Sequence, residues 1–363
     1  MVDLLSKYRI KVGHFSADVA LSRRHLPALP ILYVICANLA PLDAYDTCTA
    51  RVGNARSIRR IEKSLGNMSV PDLRALLDLE PNGEGRWRSV SPDTNAGGEV
   101  FGGQYLGLAV HAAMLTAPGR SPHALSSFFL RRAEASSPVD YQVEQTRDGA
   151  AFAHRRVTAS QFGKEVFRAE ISFHEVEADQ PSHQIVSPTA PDISTLKSHH
   201  QCVLDRADDL DPLVVRRVIS RASFQSYFPD PEEGLGKPGS RPYTLAWLEP
   251  SPPPAAGDAI GYYATLAYLT DACANFAARI MHAAQLHDGE LASSSLNHAI
   301  WFHSTPRPIG RVLYEVDSPY SGHGLGFNRG TMFDINGHVL ASITQEALIR
   351  RQRLPQKYTR SVI

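Results

Sequence analysis

Two stretches of the chain, 101–118 and 259–278, are apolar around the whole circumference that a helix would present. A helix of this kind has no polar stripe to turn toward water, so it is expected to be buried on every side. The first stretch carries no Asp, Glu, Lys or Arg, and the second carries one such residue, Asp271. The pattern therefore predicts two central helices, one of which holds a buried carboxylate.

Each apolar stretch is followed by four segments in which apolar and polar residues alternate, a pattern typical of strands with one buried face. These segments cover 124–131, 139–146, 150–160 and 165–175 in the first round, and 296–303, 312–319, 324–334 and 339–351 in the second. A shift of 173 residues superposes Val139 on Val312 and Arg156 on Arg329. The sequence therefore predicts an internal duplication of a helix followed by four antiparallel strands.

A long buried helix wrapped by a curved antiparallel sheet is the hotdog arrangement. The predicted fold is α+β, a double hotdog in which two such copies lie side by side and merge their sheets. The extension at 1–67 is expected to be disordered or to result from a misassigned start. The predicted divisions are this extension, a first hotdog at 68–176, a linker with a short helix at 177–240, a second hotdog at 241–351 and a tail at 352–363.

Two short helices are predicted outside the repeated pattern. One lies at the start of the first hotdog, with Ser69 as its N-cap, and the other lies in the linker at 211–221. The apolar positions of the first short helix are Val70, Leu73, Leu76, Leu77 and Leu79.

Composition narrows the classes of partner. The chain has 363 residues with 37 Lys and Arg against 37 Asp and Glu, so its formal net charge is zero. A nucleic-acid partner is not expected, because binding phosphates requires a basic surplus. The apolar segment at 26–42 contains three prolines, and it is shorter than the roughly 20 residues of a membrane span. Four cysteines without a CxxC pair suit a reducing compartment, so we expect a cytoplasmic protein without membrane insertion.

Asp271 is the first candidate for chemistry, because a carboxylate removed from water is costly unless it is paired, hydrogen-bonded or used. It could be a structural acid that caps a helix or pairs with a cation such as Arg279, or it could be a catalytic group, and the pattern leaves both interpretations open. Gln345 is the second candidate. Alternation places it among small apolar residues on one face of the last strand, where its amide must be fully hydrogen-bonded.

A hydroxyl cluster at 293–295 provides the third candidate. Strict alternation places Ser295 on the same face as Asn297 and Trp301, so the direction of its side chain is ambiguous. Taken alone, a serine run at the start of a strand is more often a solvated edge than a catalytic group.

Five motifs together resemble the acyl-CoA thioesterase II family of double-hotdog enzymes. The resemblance covers about residues 68–351. The motifs are "VFGGQYLGLAVHAA" (100–113), "SSFFLRRAE" (126–134), "YLTDACANF" (268–276), "SLNHAIWFH" (295–303) and "ASITQEALIR" (341–350).

The resemblance implies that the chain hydrolyses fatty acyl-CoA thioesters to free fatty acid and CoA. The family uses an Asp, a Thr or Ser, and a Gln, which correspond here to Asp271, Ser295 and Gln345. Many members have threonine at the position of Ser295, and the hydroxyl is retained. No cofactor is implied, and further pairing of chains is typical of the family, so a homo-oligomer is expected. Candidate substrate-binding residues in the motifs and strands are Gly102, Gly103, Gln104, His298 and Arg329.

The duplication indicates one catalytic site per chain. The first apolar stretch has no acidic residue, and the shift of 173 aligns Gln345 with Ser172 and Ser295 with Pro122. We therefore expect the second hotdog to carry the catalytic set and the first to shape the acyl pocket.

Two other functions are weighed beside hydrolysis. A hotdog enoyl-CoA hydratase would pair its Asp with a His about five residues later, but that position is Phe276 here. A non-catalytic acyl-CoA-binding protein would use Asp271 for structure alone. A covalent serine mechanism lacks a GxSxG motif. Four histidines of the second half could suggest a metal site, but their spacing matches no zinc site, so no metal is expected. They are His298, His303, His323 and His338.

Overall fold

A computed structural model describes two compact units of this protein. The first unit comprises residues 1–69 and 204–215, and the second comprises residues 70–203 and 216–363. The first contains an antiparallel hairpin of β1 (Ser6–Val12) and β2 (Phe15–Leu21), in a region where the sequence pattern predicted no strands. The described residues are 6–12, 15–21, 72–95, 98–177, 179–210, 215, 218, 223–235, 239–287 and 291–351.

Several predictions fall on other residues. The apolar segment at 26–42, the N-cap Ser69, most of the linker helix at 211–221 and nearly all of the tail lie outside the described residues.

Each of the two central helices precedes a run of four strands, the duplicated order that the sequence predicts. Short 3-10 turns occur at Ile193–Thr195 and Glu233–Leu235. The α-helices are α1 (Leu73–Leu76), α2 (Gly102–Met114), α3 (His199–Asp205), α4 (Ala259–Thr270), α5 (Phe276–Ile280) and α6 (Ala283–His287). Among the helices of the described residues, none has the length and apolarity needed to cross a membrane.

Twelve strands of the second unit form one antiparallel sheet. They are β3 (Leu79–Pro81), β4 (Arg86–Ser89), β5 (Ser121–Phe129), β6 (Asp140–Asp148), β7 (Phe152–Gln161), β8 (Lys164–His174), β9 (Phe224–Tyr227), β10 (Tyr243–Pro250), β11 (Leu291–Phe302), β12 (Val312–Gly322), β13 (Leu325–Asp334) and β14 (Val339–Arg351).

The strand order shows the duplication directly. The sheet runs β3-β4-β6-β7-β8-β5 and continues as β11-β14-β13-β12-β10-β9, so the second half repeats the first in mirror order. The two halves join where β5 pairs with β11, with Ile300 opposite Leu125. Each half has its own central helix, α2 or α4, and the predicted double hotdog is confirmed.

Glycines on α2 let the two central helices approach each other closely. A Cβ added to Gly103 would lie 2.5 Å from the carbonyl oxygen of Tyr268, and one added to Gly107 would lie 2.9 Å from that of Ala264. Residues later in α2 thus contact residues earlier in α4, so the two helices are antiparallel. Backbone atoms fill the space where side chains would otherwise lie.

We expect Gly103→Ala to lower the free energy of unfolding by about 1–3 kcal/mol, the usual cost of overpacking. In an uncrowded helix the same change would stabilise by up to about 1 kcal/mol, so the sign of the effect is diagnostic. Urea unfolding of both proteins measures it. Gly310→Ala is the control, since a Cβ there would meet no atom within 4 Å. A Gly103→Ala protein as stable as the parent would contradict the close helix contact.

Two predicted helices differ from the observed ones. The second apolar stretch is not one helix: α4 ends at Thr270, Asp271 is its C-cap, and α5 begins at Phe276. The hydroxyl of Tyr314 on β12 donates to the carbonyl oxygen of Thr270 at 2.7 Å, which satisfies one of the last carbonyl groups of α4. Tertiary contacts therefore help to set the end of this helix.

The short helix α1 is also smaller than predicted. Asp72 is its N-cap and accepts a hydrogen bond from the N–H of Ala75 at 2.8 Å. The predicted helical position Leu79 begins β3 instead, where it pairs with Ser89.

Candidate active site

Asp271 lies between the ends of the two central helices. It is the C-cap of α4 and is 9% exposed. A Cβ added to Gly102, the first residue of α2, would lie 2.5 Å from Asp271 Oδ2. The carboxylate therefore faces the N-terminal end of α2, where the helix dipole and backbone N–H groups stabilise negative charge.

A β-bulge directs Ser295 toward this carboxylate. On β11, Ser295 is opposite Ala347 and Asn297 is opposite Glu346, with a register shift between them. Strict alternation had placed Ser295 and Asn297 on the same face. Because the bulge adds one residue, they lie on opposite faces instead. Ser295 Oγ instead lies 3.4 Å from Asp271 Oδ1 and donates to it.

Gln345 completes the predicted set of three. It lies on the buried face of β14, as alternation predicted, and is 0% exposed. Its Nε2 donates to Asp271 Oδ1 at 3.1 Å and to Ser295 Oγ at 2.7 Å. The structure thus brings Asp271, Ser295 and Gln345 together, although they are far apart in the chain.

The hydrogen bonds determine where the hydroxyl proton of Ser295 points. Ser295 Oγ accepts from Gln345 Nε2 and from Asn275 Nδ2, the latter at 3.1 Å. A hydroxyl has two acceptor positions and one proton, and amide NH₂ groups can only donate. The proton is therefore left for Asp271 Oδ1, so that Gln345 donates to Ser295 and both of them donate to the carboxylate.

Two further buried side chains hold Gln345 from neighbouring strands. His298 on β11 is 1% exposed, and its Nδ1 is hydrogen-bonded to Gln345 Oε1. Burial lowers the pKa of His298 to about 4, with the hydrogen bond to Gln345 acting in the opposite direction. Asn328 on β13 accepts from the N–H of Ala278 at 2.9 Å, and its Nδ2 reaches the carbonyl oxygen of Gln345 at 3.5 Å.

Gln104 and Arg329 are not brought into this site. The amide of Gln104 is 1% exposed, and it donates to the carbonyl oxygens of Leu76 and Ser91 and accepts from the N–H of Asp93. These bonds fasten the segment before α2, which favours a structural role over the predicted contact with substrate.

Arg329 lies on the other face of β13 from Asn328. Its side chain is 57% exposed and forms an ion pair with Asp317 of the adjacent strand, with Nε 3.1 Å from Oδ1. An exposed pair of this kind stabilises the strand pairing weakly. The structure therefore separates Arg329 from the buried set that was predicted beside it.

Asn275 and Asn328 also lie in the site, and the sequence patterns did not predict them. Asn275 belongs to the "YLTDACANF" motif, where an amide four residues after the acid is a polar group in an apolar stretch. Asn328 was overlooked beside Arg329, although alternation along β13 places it on the buried face with Gly326 and Gly330. A search for amides at buried positions would have found both.

A family model of the acyl-CoA thioesterase N-terminal domain matches residues 90–174, and a model of the acyl-CoA thioesterase C-terminal domain matches residues 200–349. The chain belongs to the acyl-CoA thioesterase family. This is a family of thioester hydrolases, and each of the two models matches one half of the duplication.

Several named proteins are similar to this acyl-CoA thioesterase family member. Human acyl-coenzyme A thioesterase 8 is 29% identical over 294 residues, which are 78% of this chain and 91% of that protein. Acyl-CoA thioesterase 2 of Haemophilus influenzae is 26% identical over 286 residues, which are 77% of this chain and 97% of that protein. A crystal structure of an acyl-CoA thioesterase II from Mycobacterium marinum has a TM-score of 0.62 at 27% identity, covering 77% of this chain and 99% of that one.

Strand pairing corrects the predicted alignment between the two thioesterase halves. In the strand register, Gln345 lies opposite His298 on β11 and Asn328 on β13. The residues that correspond to His298 and Asn328 in the first half are Leu125 and Arg155, and both lie opposite Ile171. Gln345 therefore corresponds to Ile171, not to Ser172, because β13 and β14 are joined by a longer turn than β7 and β8.

The first half repeats the strand geometry of the site without three of its polar groups. It has a bulge between Pro122 and Ala124, at the position of the bulge after Ser295. Pro122, Leu125 and Ile171 thus occupy the positions of Ser295, His298 and Gln345. These three polar side chains are therefore replaced by apolar ones in the first half, whereas the buried Arg155 occupies the position of Asn328.

An open cleft of about 580 Å³ lies on the second half, away from these residues. Its lining includes Arg307 and Arg311, which form ion pairs with Asp334 and Glu249 at 3.3 and 3.1 Å. None of the predicted site residues lines it, so it is separate from the candidate active site.

Proposed function

We propose that this protein hydrolyses fatty acyl-CoA thioesters to free fatty acid and CoA, with a water molecule activated by Asp271, whose carboxylate is held in place by Ser295 and Gln345. The observation that carries the proposal is the convergence of two donors, Ser295 Oγ and Gln345 Nε2, on one oxygen of a buried carboxylate. This arrangement fixes the carboxylate while its other oxygen faces the start of α2.

The proposed reaction begins when Asp271 accepts a proton from water as the water oxygen attacks the thioester carbonyl carbon. General base catalysis of this kind typically contributes about 10²–10⁴-fold. The carbonyl oxygen becomes negatively charged in the tetrahedral intermediate, and the backbone N–H groups of Gly102 and Gly103 in the first turn of α2 would stabilise it. The intermediate then collapses with cleavage of the C–S bond. The thiolate of CoA leaves and takes up a proton, which Asp271 can return.

An aromatic side chain from the first half lies beside Asp271. A Cβ added to Gly102 would also lie 3.3 Å from the ring of Phe129, so this ring is close to the carboxylate. Phe129 packs against Phe167 and Tyr105, with ring centroids at 5.3 and 6.2 Å. An aromatic wall beside the acid suits an apolar acyl chain, which supports the prediction that the first hotdog shapes the acyl pocket.

The contacts disfavour the two competing mechanisms. A hydratase would need a histidine near Asp271, but the residue at the expected position, Phe276, stacks on Phe228 with ring centroids at 5.6 Å. A covalent serine mechanism would need a nucleophilic Ser295, but two amide donors occupy the lone pairs of its hydroxyl. Hydrolysis by activated water fits the same contacts without either difficulty.

Release of free thiol from a panel of acyl-CoAs, from short to long chains, tests the proposed function. We expect steady release that depends on chain length, with the fatty acid and CoA formed in equal amounts. Tight binding of acyl-CoA without any thiol release would contradict hydrolysis and favour the acyl-CoA-binding alternative. Hydration of an enoyl-CoA with the thioester left intact would favour the hydratase.

Ser295→Ala is expected to lower kcat by about 10- to 100-fold, since a hydrogen bond to a charged group contributes about 1.5–3 kcal/mol. The loss is partial because Ser295 orients the carboxylate and does not form a bond to the substrate. Ser295→Thr keeps the hydroxyl and is the matched control. Complete inactivation of Ser295→Ala, together with an acylated Ser295 trapped in the parent, would contradict the water mechanism.

A further inference from the structure

The amide of Gln345 has two possible orientations, and the site works with one of them. With Nε2 toward Asp271, the amide donates to the carboxylate and to Ser295. Turned by 180°, it would direct Oε1 at the carboxylate, and two oxygens carrying negative charge would repel each other. Something must therefore hold the amide in the productive orientation.

His298 occupies the position that can do this. Its Nδ1 is hydrogen-bonded to Gln345 Oε1, and an amide oxygen can only accept. The proton of the neutral ring must therefore be on Nδ1. The other ring nitrogen, Nε2, is buried and has no hydrogen-bond partner among the described residues. His298 thus uses one nitrogen for Gln345 and leaves the other unsatisfied, an arrangement that costs stability.

The first half of the chain shows that the fold does not require a histidine here. Leu125 occupies the position of His298 and pairs with Ile171 at the position of Gln345, and both are buried. The same strand geometry is thus built with leucine where no amide has to be oriented. A histidine that costs stability beside a catalytic amide, and that is leucine where the amide is absent, has a role in orienting the amide.

We propose that His298 is a positioning residue that locks the Gln345 amide with its NH₂ group toward Asp271 and Ser295. This inference rests on the proposed function, because Gln345 holds the catalytic carboxylate there. It replaces the earlier prediction that His298 contacts substrate, since the side chain is 1% exposed.

His298→Leu, which copies the first half, is expected to lower kcat by about 10- to 100-fold, the range seen when a residue that orients a metal ligand is lost. KM should change little, because substrate contacts are intact. The thermal midpoint should change little, because the substitution removes the unsatisfied Nε2 of His298 but leaves the buried Oε1 of Gln345 without this partner. A loss of activity without a loss of stability separates positioning from a structural role.

Two conservative variants sharpen this test. The Nδ2 of His298→Asn lies near the place of histidine Nδ1, so this variant should recover about tenfold of the kcat lost in His298→Leu. His298→Gln places its amide near Nε2 and should not recover activity. A His298→Leu protein with kcat within about twofold of the parent, or equal kcat values for all three variants, would overturn the proposal.

The ring protonation can be measured without any activity. Nitrogen-15 NMR of the histidine-labelled protein is expected to show His298 as the neutral ring protonated on Nδ1 and still neutral at pH 5, consistent with its low pKa. A ring protonated on Nε2 would overturn the proposal, even if the enzyme hydrolyses acyl-CoA. An inactive parent with the Nδ1-protonated ring would retain the orientation of Gln345 and refute hydrolysis instead.

Discussion

Asp271→Asn is expected to lower kcat for acyl-CoA hydrolysis by about 10²–10⁴-fold, the range that a general base contributes. Asparagine has nearly the same shape as aspartate but cannot accept the proton of the attacking water. Its NH₂ group would also face Gln345 Nε2 if it took the place of Oδ1, so one of the two donors would be left without an acceptor. Thiol release under saturating substrate measures the loss in kcat.

The control for this substitution is Asp258→Asn at the other end of the same helix. Asp258 is the N-cap of α4 and accepts from the N–H of Gly261 at 2.8 Å. Asparagine caps a helix about as well as aspartate, so activity and stability should both remain near those of the parent. An Asp271→Asn protein with parental kcat would contradict the proposed role of Asp271 and favour a structural acid.

The repeated elements could be predicted because they depend on local periodicity. The central helices are apolar on every side, and β14 alternates between more and less buried residues from Ala341 to Ile349, with its bounds at Val339 and Arg351 as predicted. The break after Thr270 could not be predicted in this way, because residues 271–275 contain neither Gly nor Pro. Tyr314, which is distant in sequence, donates a hydrogen bond to the last carbonyl group of α4. The end of the helix therefore depends on a tertiary contact that local periodicity does not show.

The candidate site was partly predictable for the same reason. Asp271 and Gln345 stand out as polar residues at positions whose neighbours are buried, so composition and alternation reveal them. Ser295 required the family resemblance, because a bulge changes its face and a bulge depends on how two strands pair. Arg329 was predicted as a site residue because of its charge. Adjacent strand residues point to opposite faces, and the site contains its neighbour Asn328 instead.

Gly102→Ala is expected to lower kcat by about 10²-fold, the effect of displacing a catalytic group by about 1 Å. The added methyl group would lie 2.5 Å from Asp271 Oδ2 and 3.2 Å from its Cγ, so the carboxylate must move. The displaced carboxylate would lose its alignment with Ser295 and Gln345. Because this methyl group meets the end of a side chain, whereas that of Gly103→Ala meets backbone, Gly102→Ala should reduce activity much more than stability.

A double-mutant cycle decides whether Gly102→Ala acts through Asp271. If the methyl group harms catalysis by moving this carboxylate, it should have little further effect once Asp271 is already asparagine, so the two losses in kcat will not add. Additive losses would mean that Gly102 acts independently, for example through the N–H groups that stabilise the oxyanion. In that case the contact between the start of α2 and Asp271 would not be what positions the base. The size of the coupling therefore measures how far the first hotdog, which carries no acid of its own in α2, determines the geometry of the acid in the second.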